Sequence, residues 1–201
     1  MTPRTTPGFL AAALVLLAGC TTAPATTVAP SRDPGTAAQA RVLDRFATPV
    51  PGIHTGGRIT VEDLPALRAA GITRVIDLTP DAETPGLDEA AAVRAAGLSY
   101  DNLPIASAAD LNHESVAAFD QLLRAADGST LVHCASGNRV GALAALRAAW
   151  LQGAGEEVAI AEGRRWGLRS LEGEVRKRLA RERCLASALP SSAIEQCGPD
   201  G

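Results

Sequence analysis

The stretch TLVHCASGNRVGAL, Thr130 to Leu143, does most to limit what this chain can fold into. The apolar pair Leu131-Val132 delivers His133-Cys134 into a glycine-bearing turn, and Arg139 closes that turn. An Ala- and Leu-rich run follows, with the residue types that favour helix. Strand, tight turn and helix in that order form the repeating unit of a parallel sheet with helical crossovers. In such sheets ligands sit at strand carboxyl ends, beside helix N-termini. The order of residues therefore places His133-Cys134 where a site would be.

The rest of the body extends this unit. Val61 to Ala70 reads as a helix with Thr60 as N-cap and Gly71 as the residue that ends it. TRVIDL, Thr73 to Leu78, reads as a buried strand, broken by Thr79-Pro80-Asp81. Gly86 to Ala96 is a second helix and Leu98 to Ile105 a second strand. Asn112 or Ser115 opens a third helix through Ala126, and Ser129 to His133 is the next strand. Helices are expected over Val140 to Leu151 and Gly155 to Arg164. The fold class is α/β, a mostly parallel sheet flanked by helices.

The turn can hold an anion. Backbone N–H groups from Ala135 through Ser136, Gly137, Asn138 and Arg139 can turn inward as a nest. The N-terminus of the helix near Val140 adds positive potential, and Gly137 permits a backbone that a Cβ would oppose. Arg139 can grip an oxyanion with two parallel donors. All four effects favour the Cys134 thiolate, the nucleophilic form. Taken alone, a cysteine at a strand end is a small buried apolar residue; the combination with Gly137 and Arg139 makes it a working thiol. His133 either supports the loop through hydrogen bonds and tunes the thiol, or fills space. Asn138 either braces the loop or is a tolerant turn residue.

VHCASGNRVGAL resembles the signature loop of the protein-tyrosine-phosphatase-like superfamily. More narrowly, the segment from His54 to Gly167 resembles the beta-lactamase-hydrolase-like phosphatase family. The resemblance runs through TGGRITVEDLPALRAAGITRVIDLTPDAE, the helix before GLSYDNLPI, and the loop itself. It implies a phosphatase-type fold, with Cys134 as nucleophile and Arg139 as anion clamp, acting on a small phosphorylated substrate without a cofactor. Two features depart from the tyrosine phosphatases. Four residues, not five, separate Cys134 from Arg139, a spacing that resembles rhodanese-type sulfur transferases. Val140 also stands where phosphatases carry a hydroxyl residue. A sulfane-sulfur substrate and a Cys134 persulfide form the alternative; a loop that binds anions without turnover is the third reading. A phosphatase also needs a proton donor for the leaving oxygen. In LPIASAADLNHES the acid is Asp110 or, failing that, His113; Ser107 occupies the position nearer Pro104 where related enzymes carry their Asp. Asp110 reads equally as a loop residue before the third helix.

The N-terminus reads as an export signal. Phe9 to Ala18 is an apolar run of about ten residues, too short to span a bilayer, and it ends in Leu17-Ala18-Gly19-Cys20. This resembles the bacterial lipobox, which implies a lipid on Cys20 and a domain anchored in the cell envelope. The expected organisation is a signal at 1–19, a Thr/Ala/Pro tether at 20–40, the phosphatase-like domain at 41–172 and a C-terminal helix and tail at 173–201. The expected location is lipid-anchored and facing the periplasm, at the outer membrane. In an oxidising compartment Cys184 and Cys197 either pair or remain two free thiols.

Other classes have little support. A net charge of -3 gives no basic face for nucleic acid. His54, His113 and His133 have no metal-ligand spacing, so no metal is expected. GGRIT, Gly56 to Thr60, lacks P-loop spacing and reads as a turn near the site. The arginine-rich tail, with Glu172/Arg176 and Glu174/Arg178 four apart, reads as a solvated helix; the alternative is contact with anionic lipid.

Overall fold

A computed structural model describes residues 41–126, 128–187 and Cys197. The expected leader at 1–19, Cys20 with its expected lipid and the expected tether at 20–40 lie outside the described residues. Five strands form one sheet: β1 (Ala47–Val50), β2 (Ile53–Gly56), β3 (Ile72–Asp77), β4 (Ser99–Asn102) and β5 (Ser129–His133). Their spatial order is β1-β2-β5-β3-β4. β1 and β2 pair antiparallel, and β2, β5, β3 and β4 run parallel. Helices α1 (Leu64–Ala69), α2 (Glu89–Ala95), α3 (His113–Arg124), α4 (Asn138–Trp150), α5 (Glu156–Trp166) and α6 (Glu172–Ser187) accompany them. This is the α/β architecture with a mostly parallel sheet that the residue pattern implies. Among the described residues no helix is long and apolar enough to cross a membrane.

The register of the parallel strands aligns their ends. Gly56 pairs with His133, His133 with Asp77, and Asp77 with Asn102. These four residues form a row across the carboxyl edge of the sheet. Leu131, Val132 and His133 are fully buried because β5 lies between two strands and beneath helices.

Several boundaries differ from those read off the sequence. The first helical stretch opens with a single 3-10 turn at Val61–Asp63, and the α-helix begins at Leu64. Asp88, not Gly86, opens α2, its carboxylate accepting the Ala91 N–H. β4 ends at Asn102, although Leu103 and Ile105 still donate their N–H groups to Asp77 and Leu78. α4 begins at Asn138, two residues before the expected start. Gly137 makes this possible, since its φ of +84° turns the chain directly into the helix. β1 and β2 were not expected at all.

Helix α4 is buried nearly all round: Val140 through Leu146 and Ala148 lie inside the protein. It packs closely on α5 through glycines. A Cβ on Gly141 would stand 1.9 Å from the Leu168 nitrogen and 2.6 Å from the Gly163 carbonyl oxygen. α6 belongs to the same core, with Val175 and Leu179 buried in it. Arg176, Arg178 and Arg183 are engaged in ion pairs, including the two pairs read from the sequence, Arg176–Glu172 at 3.1 Å and Arg178–Glu174 at 3.0 Å. A disulfide joins Cys184 at the end of α6 to Cys197, and Cys134 is the free cysteine among the described residues.

Because both contacts of a Gly141 Cβ are backbone atoms, neither can rotate away. Gly141→Ala is expected to cost about 1–3 kcal/mol through overpacking. The measurement is thermal unfolding: Tm should fall by roughly 5 °C. An unchanged Tm would contradict this packing.

Candidate active site

Cys134 sits at the end of β5, with 1% of its surface exposed. The loop that follows is anchored to Gly56-Gly57-Arg58 on the neighbouring strand. Cys134 donates its N–H to the Gly56 carbonyl at 3.3 Å, and Arg58 donates to the Ala135 carbonyl at 3.4 Å. Ser136 forms an isolated bridge with Gly57. The glycine pair is thus a wall of the loop and more than a passing turn. A Cβ on Gly57 would meet the Ala135 oxygen at 3.3 Å, so the close approach depends on glycine.

Within the loop, Gly137 N–H points at the Cys134 sulfur, 3.1 Å away. A backbone donor of this kind stabilises negative charge on sulfur. The loop then enters α4 directly, so the helix N-terminus adds its partial positive charge close to the thiol. Asn138 resolves as a brace. Its Nδ2 donates to Ser170 Oγ at 2.7 Å, and its Oδ1 accepts the Arg169 N–H at 2.8 Å. It ties the first residue of α4 to the segment between α5 and α6.

Arg139 lies in the first turn of α4 and is held by two partners. Nη1 donates to Glu83 Oε1 and to the Ile105 carbonyl, both at 2.8 Å, and Nη2 donates to Glu83 Oε2 at 2.7 Å. The hydrogen bonds from Glu83 and, less strongly, the adjacent Cys134 sulfur hold the guanidinium above its ordinary pKa. Reciprocally, the Arg139 hydrogen bonds hold the Glu83 carboxyl below its ordinary value. None of the three bonds uses Nε. Glu83 therefore fixes the fork of Arg139 end-on and leaves its flank free.

A cavity of about 300 Å³ opens beside this pair, lined among others by Glu83, Ser107, Ser136, Asn138 and Arg139. Ile105 and Leu111 give it an apolar wall. Glu83 is the carboxylate in this lining, and the sequence reading missed it. It ends a 3-10 turn, Asp81–Glu83, just beyond the carboxyl end of β3. An acidic residue shortly after a buried strand was the available signal, since that position faces the same edge as Cys134.

Of the two expected proton donors, Asp110 lies directly behind cavity-lining Ala106 and Ser107, and His113 packs against the far end of α4. Asp110 is not among the residues lining the cavity. Its Oδ2 accepts from Ala106 N at 2.9 Å, Ser107 N at 2.8 Å and Ser107 Oγ at 3.2 Å. These bonds make it the brace of its own loop, as the capping geometry at Ser107 requires. His113 stacks on Trp150 with ring centroids 4.0 Å apart, and its Nε2 faces Glu182 at 3.2 Å. Trp150 is the last residue of α4, at the opposite end from the loop.

His133 is fully buried, and its surroundings were not foreseen. Nε2 lies 2.8 Å from Glu89 Oε1 and 3.7 Å from Asp77 Oδ1. It is neither a loose space-filler nor a hydrogen-bonded support of the loop: among the described residues neither ring nitrogen has a hydrogen-bond partner. Three segments distant in sequence bring these groups together, so no spacing rule could have revealed them.

Comparison with known proteins agrees with this geometry. Residues 44–151 match the family described as beta-lactamase hydrolase-like protein, phosphatase-like domain. A beta-lactamase hydrolase-like protein of Agrobacterium fabrum is 33% identical over 87 residues, covering 41% of this chain and 20% of its own length. A namesake from Xylella fastidiosa is 40% identical over 80 residues, covering 38% of this chain and 18% of its own. The chain thus spans about a fifth of the length of these curated relatives. Among solved structures, a DUF442 protein of Shewanella putrefaciens CN-32 superposes with a TM-score of 0.53 at 23% identity, over 70% of this chain and 97% of that one. P. aeruginosa TpbA, in complex with phosphotyrosine, superposes with a TM-score of 0.52 at 20% identity, over 66% of this chain and 80% of that one. The fold is therefore the one shared with tyrosine-phosphatase-like enzymes, and the chain belongs to the phosphatase-like domain family of the beta-lactamase hydrolase-like proteins.

Proposed function

We propose that this protein is a cysteine-dependent phosphatase whose nucleophile is Cys134. The observation that carries the reading is the Gly137 N–H directed at the Cys134 sulfur within a loop closed by Arg139. A substrate phosphoryl group binds over the sulfur with its oxygens on the free flank of Arg139 and on loop amides. The thiolate attacks phosphorus; the S–P bond forms as the P–O ester bond breaks, and the leaving oxygen takes a proton. Water then cleaves the S–P bond, releasing inorganic phosphate and restoring the thiolate. Arg139 and the amides stabilise the charge spread over the equatorial oxygens in both steps.

The second reading is sulfur transfer, and one observation favours it. The carboxylate lining the cavity, Glu83, is held ionised by Arg139, which makes it a poor proton donor. Sulfur transfer has no such need: the thiolate displaces sulfite from thiosulfate, and the resulting Cys134 persulfide passes its outer sulfur to a second nucleophile. The four-residue spacing suits that smaller chemistry. With Glu83 paired to Arg139 and Asp110 Oδ2 bonded within its own loop, the phosphatase reading favours substrates with good leaving groups.

The first test assays the purified protein and Cys134→Ser with an aryl phosphate, and separately with thiosulfate plus cyanide. Phosphate release lost by at least about a thousandfold in Cys134→Ser supports the phosphatase. Thiocyanate formation with no phosphate release supports sulfur transfer, and turnover that survives Cys134→Ser contradicts both. A second test addresses the clamp. Glu83→Gln should lower kcat/KM by roughly tenfold, about 1.4 kcal/mol, because Arg139 loses its two-point hold. An unchanged value would make Glu83 a bystander. The pair also has a predictable pH dependence. Since folding lowers the Glu83 pKa, its contribution is complete above the ordinary carboxyl value of 4.5 and is lost as pH falls through the folded value.

The cellular setting belongs to the same proposal. A lipid on Cys20 would anchor the enzyme in the bacterial envelope, facing the periplasm from the outer membrane. Cys20→Ser is then expected to move the protein from the detergent phase to the aqueous phase on phase partitioning. Equal partitioning of both forms would remove the anchor.

A further inference from the structure

At the ends of β3 and β4, beside the start of α2, a cavity of about 480 Å³ is lined by acids. Asp77, Asp81, Asp88 and Glu89 contribute carboxyls to it, with Tyr100 and Asn102, and its lining contains no cationic side chain. Arg94 lies over the Tyr100 ring, 5.5 Å from its centroid, and is not part of that lining. Acidic surfaces are common, and this one alone would mean little. Two of its lining residues, Asp77 and Glu89, also reach the buried His133 behind them. Asp77, Glu89 and His133 are 3%, 8% and 0% exposed, and one ligand atom from each lies within 4.8 Å of the others.

The contacts among these three leave a charge problem. Asp77 is partnered: Oδ1 accepts the Thr79 N–H at 2.7 Å and Oδ2 accepts the Tyr100 hydroxyl at 3.1 Å. Glu89 Oε1 and both His133 ring nitrogens have no hydrogen-bond partner, although Nε2 and Oε1 are only 2.8 Å apart. A ring N–H at Nε2 does not point at the carboxylate, and an unprotonated Nε2, whose lone pair lies along that same direction, has no donor to accept from. Either state leaves a buried polar group uncompensated, at a cost of about 1–3 kcal/mol per group. A cation seated between Nε2 and the two carboxylate oxygens gives Nε2 and Glu89 Oε1 a common partner; Nδ1, on the far side of the ring, is not part of that contact. The separations of 2.8 and 3.7 Å from Nε2 bracket the ~3.3 Å edge expected when ~2.0 Å bonds diverge at tetrahedral angles.

We propose that Asp77, Glu89 and His133 form a binding site for a divalent transition-metal ion of the zinc or manganese class, open to the acidic cavity. One imidazole with two carboxylates is a donor set that suits such ions, and the cavity leaves a coordination position for water. The site is distinct from the cavity beside Arg139, and its existence does not depend on the reaction assigned to Cys134. Its effect on the loop would be positional, since His133 is the residue before the nucleophile and Asp77 is its partner in the sheet.

The test uses the full-length protein in detergent, in Cys134→Ser form so that this thiol cannot compete for metal. Equilibrium dialysis against micromolar zinc, and separately manganese, should yield one bound equivalent of at least one metal per chain. Glu89→Gln and His133→Asn should each weaken binding by about tenfold or more. X-ray absorption of the zinc-loaded Cys134→Ser protein gives a second readout that needs no further substitution at the site. Nitrogen and oxygen scatterers including an imidazole are expected; sulfur ligation, or the absence of an imidazole, would overturn the proposal. So would failure to bind either metal, or affinity unchanged in folded Glu89→Gln protein.

Discussion

The hydrogen-bonded row Gly56–His133–Asp77–Asn102, across the carboxyl edge of the sheet, is the constraint from which the site follows. Parallel pairing on both sides of β5 buries Thr130 to His133 and fixes where the strand's last residue ends. The next residue, Cys134, therefore emerges at a defined point, with Gly56-Gly57 on one side and the turn after β3 on the other. Those flanking segments supply what the thiol needs: a glycine wall that lets the loop close down, and Glu83 to set Arg139. A slip of one residue in the β5 register would turn Cys134 to the opposite face of the sheet and separate it from both.

Charge near the sulfur is arranged in layers. Gly137 N–H touches the sulfur, and the helix start and Arg139 stand next to it. Glu83 then neutralises the outer face of the guanidinium. Glu83 is partly exposed and its pair with Arg139 is open to solvent, so its value lies in geometry more than in stability. A carboxylate gripping the fork end-on leaves the guanidinium oriented without a substrate, which reduces what must be reorganised when an anion arrives.

Legibility in the sequence tracked how local each cause was. β5 was legible to the residue because its apolar run and the His-Cys-Gly-Arg turn are contiguous. The start of α4 was displaced by two residues because the positive φ of Gly137 allows an abrupt entry that periodicity does not record. β1 and β2 escaped notice because each has only four residues, edge strand β1 is largely exposed, and Pro49 and Pro51 argue against strand. Cys134 and Arg139 declared themselves by spacing. Asp110 looked like an acid in a loop before a helix, and the structure spends its carboxylate on the amides of that loop. Glu83 and the Asp77–Glu89–His133 group depend on segments that meet only after the sheet forms; a charged residue closing the apolar strand at Asp77 was their one local trace.

The account turns on Cys134 being the atom that receives the transferred group. Rapid quenching of the wild-type protein during turnover of an aryl phosphate, followed by mass spectrometry of the Cys134 peptide, measures this directly. A phosphoryl group on Cys134, formed and lost at rates that match turnover, is the predicted result. Phosphate release with Cys134 unmodified throughout, or with the adduct on another residue, would contradict it.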